Sequence, residues 1–179
     1  MSNDGHIEVL AETKFLRLVQ EGPWTFAQRP HQIGAIAVAA VTDVGELVLV
    51  DQYRIPIKSN VIELPAGLVG DETDGESSEV AARRELLEET GFVAQELKLV
   101  TNAVSSGGLT DEMVELWLAR GLHRAAQGGG VGAERMTVHV IPLPDVATWL
   151  DQQRQAGKQI DYKVFAALYF LTSQTSYHY

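Results

Sequence analysis

The sequence predicts an α/β fold, a sandwich of helices around a mixed β-sheet with an antiparallel β extension at its N-terminus. Three observations lead to it. Apolar, β-branched runs come before, between and after one central helical segment, the layout of a sheet whose faces are covered by helices. Two further helical segments close the chain. The stretch 1–30 carries a hairpin signal of its own, Glu21-Gly22-Pro23.

Taken in order, residues 1–6 form a loose tail. The segments 9–20 and 24–29 are strands joined at the hairpin. The run 33–42 is apolar and β-branched, and Asp43-Val44-Gly45 turns it into a strand over 47–53. Val61 and Ile62 belong to a strand that Pro65 and Gly67 stop. A helix spans 77–90, with serines at its start, alanines and leucines in its body, and Gly91 where a left-handed cap is expected. Strands follow over 97–103 and 113–119, then a glycine-rich loop over 120–133, then a strand over 136–143. Helices are expected over 144–155 and 161–173. Neither an internal repeat nor a linker interrupts the chain, so 1–179 reads as one domain.

The chain has 179 residues, of which 45% are hydrophobic and 21% charged, an ordinary globular balance with enough material for a core. No run approaches a membrane span and the N-terminus lacks a charged-then-apolar leader, so the expected location is the cytoplasm. Cysteine is absent, which excludes disulfides and thiolate zinc sites, and the five histidines show no paired metal spacing. The formal charge of −10 argues against nucleic acid as a partner. It also repels any polyanionic substrate at long range, so metal ions and local arginines must supply positive charge where one binds.

The most specific stretch runs from Gly70 to Phe92. Its fixed positions are Gly70, Glu76, Arg84, Glu85, Glu88, Glu89 and Gly91. A chance match to those positions has a probability on the order of 10⁻⁸ per start. On a helix, Glu85, Glu88 and Glu89 are spaced i, i+3 and i+4 and share one face, while Val80 and Leu87 point to nearly the opposite side. The expectation is an acidic front and an apolar back. Crowded carboxylates repel one another, and a hard divalent cation such as Mg²⁺ or Mn²⁺ relieves that repulsion through oxygen ligands. Arg84, four residues before Glu88, can neutralise or orient the cluster. A solvated helix face is the other meaning of such acids, and the fixed glycines, Glu76 and Arg84 weigh against it.

This spacing resembles the signature of the Nudix hydrolases, enzymes that cut pyrophosphate bonds in nucleoside diphosphates linked to another group. The resemblance implies an α/β/α sandwich and extends from about Trp24 to the final helix. Glu63-Leu64-Pro65-Ala66-Gly67-Leu68 is similar to an element of family members acting on ADP-ribose and related sugars, which implies that the Ala66 carbonyl helps bind metal beside Glu85, Glu88 and Glu89. Gln52-Tyr53-Arg54 is similar to a segment of the same branch and implies that Arg54 contacts phosphate or ribose, or supports a dimer interface. The same likeness implies a homodimer in which the 1–30 region crosses to the partner, with Trp24 stacking on a base or filling an interface, and Arg29 touching phosphate. Ser105 to Glu112 is similar to a segment after the signature in which Glu112 lies near the metals and the substrate. Gly107 stands where ADP-ribose hydrolases carry proline, which makes GDP-mannose and other nucleotide sugars more plausible. Glu134, after a run of glycines, matches a catalytic glutamate on a loop.

The resulting expectation is Mg²⁺-dependent hydrolysis of a nucleoside diphosphate sugar, with Glu134 positioning water, Glu88 and Arg84 assisting, and the other acids holding metal. Another Nudix substrate, or a non-catalytic nucleotide-sugar sensor, stands as the alternative.

Overall fold

The computed structural model describes residues 6–30, 34–70, 75–130 and 135–173. Its N-terminal part is a three-stranded antiparallel sheet of β1 (Ile7–Glu12), β2 (Arg17–Glu21) and β3 (Trp24–Gln28). The single strand expected over 9–20 is divided because Thr13 turns the chain. Its hydroxyl donates to the Leu16 carbonyl at 2.9 Å and its oxygen accepts from the Leu16 N–H at 3.1 Å, a local bond that competes with strand pairing. The hairpin forms where the sequence places it, with Glu21 opposite Trp24 and Gly22 at φ 55.

The larger sheet is built from β4 (Ala35–Val41), β5 (Glu46–Arg54), β6 (Ser59–Glu63) and β7 (Ala66–Leu68), then, after helix α1 (Ser78–Thr90), from β8 (Phe92–Val104), β9 (Met113–Arg124) and β10 (Met136–Pro142). Helix α2 (Val146–Gln155), the short β11 (Gln159–Ile160) and helix α3 (Tyr162–Thr172) complete the chain. The strand order is β11-β6-β5-β4-β9-β8, with β10 added to β5 and β7 to β4. The sheet is mixed: β9 runs parallel to β4 and β11 parallel to β6, and the other pairings are antiparallel.

Two boundaries differ from expectation. The stretch 120–124 continues β9 instead of opening a loop, because its residues pair with β8 as far as Phe92 opposite Arg124, and Gly121 (φ 63) is absorbed inside that ribbon. The helix expected from residue 144 begins at Val146, after a 3₁₀ turn over Leu143–Asp145 that accommodates Pro144.

The core follows from β4, whose apolar run is covered on both faces. Ile36, Val38 and Ala40 point to α1, together with Val48, Trp117 and Ala119. Ala37, Ala39 and Val41 point the other way, against α2 and α3, with Leu47, Leu49, Ile62, Leu64, Leu150 and Val164. This is the α/β/α layering that the sequence predicts. No helix among the described residues is long and apolar enough to cross a membrane.

One detail of β4 positions the site. One edge of β4 pairs with β9 along its length. The other edge is shared, with Ala35 to Ala37 paired to β7 and Ala40 and Val41 paired to β5. β5 and β7 therefore part from the same edge, and a gap opens between them.

Candidate active site

α1 begins where the sequence places it. The Ser77 side chain accepts from the Val80 N–H at 3.4 Å, and Gly91 ends the helix at φ 77. Its orientation corrects the expectation of an acidic front and an apolar back. The buried stripe is Ala81, Ala82, Glu85, Leu86, Glu89 and Thr90, whereas Val80 is exposed and Leu87 only half-buried. Small Ala81 and Ala82 let the helix settle closely on Ile36 and Val38. One and two turns later the same stripe carries Glu85 and Glu89, 9% and 5% exposed. The acids therefore face the protein.

Buried carboxylates need partners, and the β7 backbone supplies one for Glu89 while Arg84 supplies one for Glu85. Val38 N–H donates to the Pro65 carbonyl at 2.8 Å and Val69 N–H to the Gly34 carbonyl at 2.9 Å. By the alternation of an antiparallel ladder, Ala66 and Leu68 then present both main-chain groups away from β4. The Ala66 N–H donates to Glu89 Oε2 at 3.1 Å, and the Leu68 carbonyl accepts from Arg84 Nη2 at 3.1 Å. The Ala66 carbonyl lies on that same edge, beside Glu89. Between them is Gly67, where an added Cβ would sit 1.8 Å from Glu85 Oε1. The carboxylate occupies the space of a side chain, so any residue other than glycine would have to displace Glu85 from this position.

Arg84 gathers the rest of the signature. Its Nε donates to Glu76 Oε1 at 3.0 Å, and its Nη1 to Glu85 Oε1 at 2.8 Å and Glu88 Oε2 at 3.4 Å. Glu76 Oε2 also accepts from the Gly70 N–H at 3.1 Å. The bond from Arg84 holds the Glu76 carboxyl below the ordinary carboxylate value, against the opposing effect of burial, and the Gly70 amide adds to it. The same pairing with Glu76 raises the Arg84 guanidinium further above its ordinary value. Gly70, Glu76, Arg84, Glu85 and Glu88, spread over nineteen positions from 70 to 88, thus meet in one network.

Above this network lies a cleft of about 370 Å³ at the gap between β5 and β7. Its lining includes Glu85, Glu89, Ala66 and Gly67 together with Arg29, Arg54, Lys163 and Glu112. Arg54 is fixed by two bonds to buried Glu63, one of them Nε to Oε1 at 2.9 Å. That fork-on-fork contact raises the Arg54 guanidinium above its ordinary value. Arg29 Nε donates to Glu112 Oε1 at 2.7 Å, which joins the end of the N-terminal region to the segment before β9.

Most residues expected at the site converge on this cleft: Ala66, Glu85, Glu89, Arg29, Arg54 and Glu112. Glu88 is bonded to Arg84 and half-buried, without lining the cleft. Trp24 is not brought there. It is 62% exposed and lines a second hollow of about 510 Å³ with Phe26, Gly107, Gly108 and Asp111. Glu134 lies outside the described residues. Met136 and Lys163 also line the cleft, and neither belongs to a site motif read from the sequence. Lys163 stands in the first turn of α3, where Asp161 both caps the helix and pairs with the Lys163 ammonium. The sequence Asp161-Tyr162-Lys163 at a helix start could have signalled it.

The donors suit a hard cation. Among the described residues no three acid or histidine side chains form a ready metal cage. The oxygen set instead combines Glu85, Glu89 and the edge-facing Ala66 carbonyl, with Glu88 adjacent on the helix, and all-oxygen coordination is the preference of Mg²⁺ and Mn²⁺.

The NUDIX domain family matches residues 30–166. The chain is 33% identical over 144 residues, 79% of its length, to a methanol dehydrogenase activator of Bacillus methanolicus, of which the match covers 73%. It is 44% identical over 89 residues to an ADP-ribose pyrophosphatase of Bacillus subtilis (strain 168), a match spanning 50% of this chain and 46% of that protein. A crystal structure of an ADP compounds hydrolase shares the fold at a TM-score of 0.63, with 21% identity and 80% of each chain covered.

Proposed function

Because the chain belongs to the NUDIX family, we propose that it is a pyrophosphohydrolase of the ADP-ribose and nucleotide-sugar type, which cleaves a nucleoside diphosphate sugar to a nucleoside monophosphate and a sugar phosphate. The observation that carries this reading is the inward acidic face of α1, with Glu89 bonded to Ala66 on β7 and Arg54 and Lys163 lining the same cleft. Acids and cations lining one cleft suit a diphosphate lying along the gap. The curated name of the Bacillus subtilis relative, ADP-ribose pyrophosphatase, supports the substrate class.

A divalent metal held by Glu85, Glu88, Glu89 and the Ala66 carbonyl, Mg²⁺ or Mn²⁺, would neutralise phosphate oxygens and acidify an attacking water. Arg54, Lys163 and Arg29 bind and orient the diphosphate. Arg84 keeps the acid cluster compact through its bonds to Glu76, Glu85 and Glu88. Glu134 takes the proton from water, an assignment that rests on its position in the sequence after the glycine run. Trp24 and the neighbouring Gly107 belong to base or sugar recognition. A second copy of the chain packs on the N-terminal sheet, where Val9, Leu18 and Trp24 are exposed. Sedimentation velocity checks that dimer, and a purely monomeric chain removes it.

The test is Mg²⁺-dependent release of phosphate esters from ADP-ribose, ADP-glucose, GDP-mannose, UDP-glucose, NADH and coenzyme A. Turnover is expected on a nucleotide sugar, and Glu89→Gln should lower it by at least about 10²-fold with the thermal midpoint intact. Hydrolysis of none of the six would shift the reading to a nucleotide-sugar sensor.

A further inference from the structure

The acidic helix is also held by contacts that the proposed chemistry does not use. A helix end leaves the carbonyls of its last turn without helical donors. Segment 125–130 supplies donors for α1. Gly129 N–H donates to the Glu89 carbonyl at 2.7 Å and Gly130 N–H to the Glu88 carbonyl at 3.1 Å, while the amides of Ala125 and Ala126 reach the Gly91 carbonyl at 2.8 and 3.0 Å. The main-chain carbonyls of the two adjacent acids are themselves acceptors. The Gly129 carbonyl accepts in turn from the Met136 N–H at 3.3 Å, and Met136 lines the cleft. A single residue thus ties the end of α1 to the start of β10.

The approach of the two backbones leaves no room for side chains. Gly128 has φ 75, and a Cβ on it would lie 2.3 Å from the Thr90 carbonyl carbon. On the other side, a Cβ on Gly91 would lie 2.2 Å from the Ala126 carbonyl oxygen. Main chain stands on both sides of the contact, so rotation of a side chain relieves neither clash. Gly157 provides the contrast, with φ 87 and open space around it.

We propose that Gly128 and Gly129 are positioning residues that lock the last turn of α1, so that Glu88 and Glu89 keep their register against β7. Glu89 is then held at both ends, its carbonyl by Gly129 and its carboxylate by the Ala66 N–H. The catalytic consequence rests on the reading of these acids as metal ligands, and the structural content does not. A shift of about 1 Å in a reacting group costs on the order of 10² in rate, so a staple that does not itself line the cleft can govern turnover.

The test compares Gly128→Ala with Gly157→Ala in the full chain. Both place a Cβ on left-handed backbone, and only the first meets main chain. Gly128→Ala should raise the Mn²⁺ dissociation constant, measured by paramagnetic resonance without substrate, by about tenfold or more. It should lower kcat by about 10- to 100-fold while KM for the nucleotide sugar stays near wild type. Amide exchange in the last turn of α1 should quicken by about tenfold, and Gly157→Ala should match wild type in every measurement. Equal Mn²⁺ binding and equal exchange in the two variants would overturn the proposal. If Gly128→Ala does not fold, the wild-type chain decides: the Gly129 amide should exchange as slowly as the amides inside α1, and a freely exchanging Gly129 amide overturns the staple. An exchange difference in a chain that hydrolyses no diphosphate would support the staple and count against the hydrolase reading alone.

Discussion

α1 and α3 cover opposite faces of one sheet and bury opposite chemistry. α3 turns Val164 and Ala167 toward Leu49, Ile62 and Leu64. α1 turns Ala81, Ala82 and Leu86 inward, and on the same stripe Glu85 and Glu89. The α2–α3 side does bury one carboxylate, Asp51, but Lys158 Nζ and Asn60 Nδ2 each stand 2.7 Å away and none of the three lines the cleft. On the α1 side the compensation is shared among Arg84 and the backbone of β7. Burying apolar side chains stabilises, whereas burying paired charge contributes little net stability and is costly only when a partner is lost. Both faces of the sheet therefore carry core, and the α1 face carries in addition a charged site that the fold supports.

The largest effect should come from breaking the charged face. Arg84→Ala leaves Glu76, Glu85 and Glu88 without their shared guanidinium, and a loss of about 3–5 kcal/mol is expected in denaturant titration, with kcat/KM falling by about 10². A variant as stable as wild type would mean that Arg84 is not the hub. Breaking the apolar face should separate the two properties. Leu150→Ala, from α2 in the core with Val164, should cost about 2–5 kcal/mol and leave the turnover of the folded fraction unchanged. A parallel loss of kcat would show that the faces are coupled.

The smallest effect is in pH dependence and sharpens the contrast. The native Glu76 carboxyl is held below its ordinary value, chiefly by its bond from Arg84. Its stabilising contribution is therefore fully present above the unfolded value of about 4.3 and is lost as pH falls through the lowered native value. Glu76→Gln should flatten the acid limb of the stability curve, while Leu150→Ala should run parallel to wild type. Identical acid limbs for Glu76→Gln and wild type would remove Glu76 from the charge balance.

The same contrast explains what could be read from the sequence. The bounds of α1 were legible because Ser77 and Gly91 act locally, through a cap bond and a left-handed turn. Its rotation was not, since hydropathy sends Glu85 and Glu89 to water, and Arg84 and the β7 backbone together reverse that. The strands β4 and β5 were legible as apolar runs, and α3 as a closing helical segment over 161–173. The glycines at 121 and 128 were read as loop; Gly121 instead sits inside the β8–β9 ribbon, and Gly128 lies in the loop but presses on Thr90, because glycine marks close approach as readily as freedom. The partnership of Arg54 with Glu63 and the presence of Lys163 in the cleft depend on residues brought together from different strands and helices, for which no local pattern exists. Local consistency fails mainly on the α1 side, as expected where function competes with burial.

The shared edge of β4 has a consequence for inheritance. The fork where β5 and β7 part is set by main-chain pairing along β4, a floor that exchange of single side chains does not remove. Arg29, Glu112 and Lys163 stand at the rim on other segments and can be exchanged without disturbing that floor. A lineage built this way can keep its bond-breaking apparatus for as long as the strand fork persists, while the molecule it cuts changes from one descendant to the next.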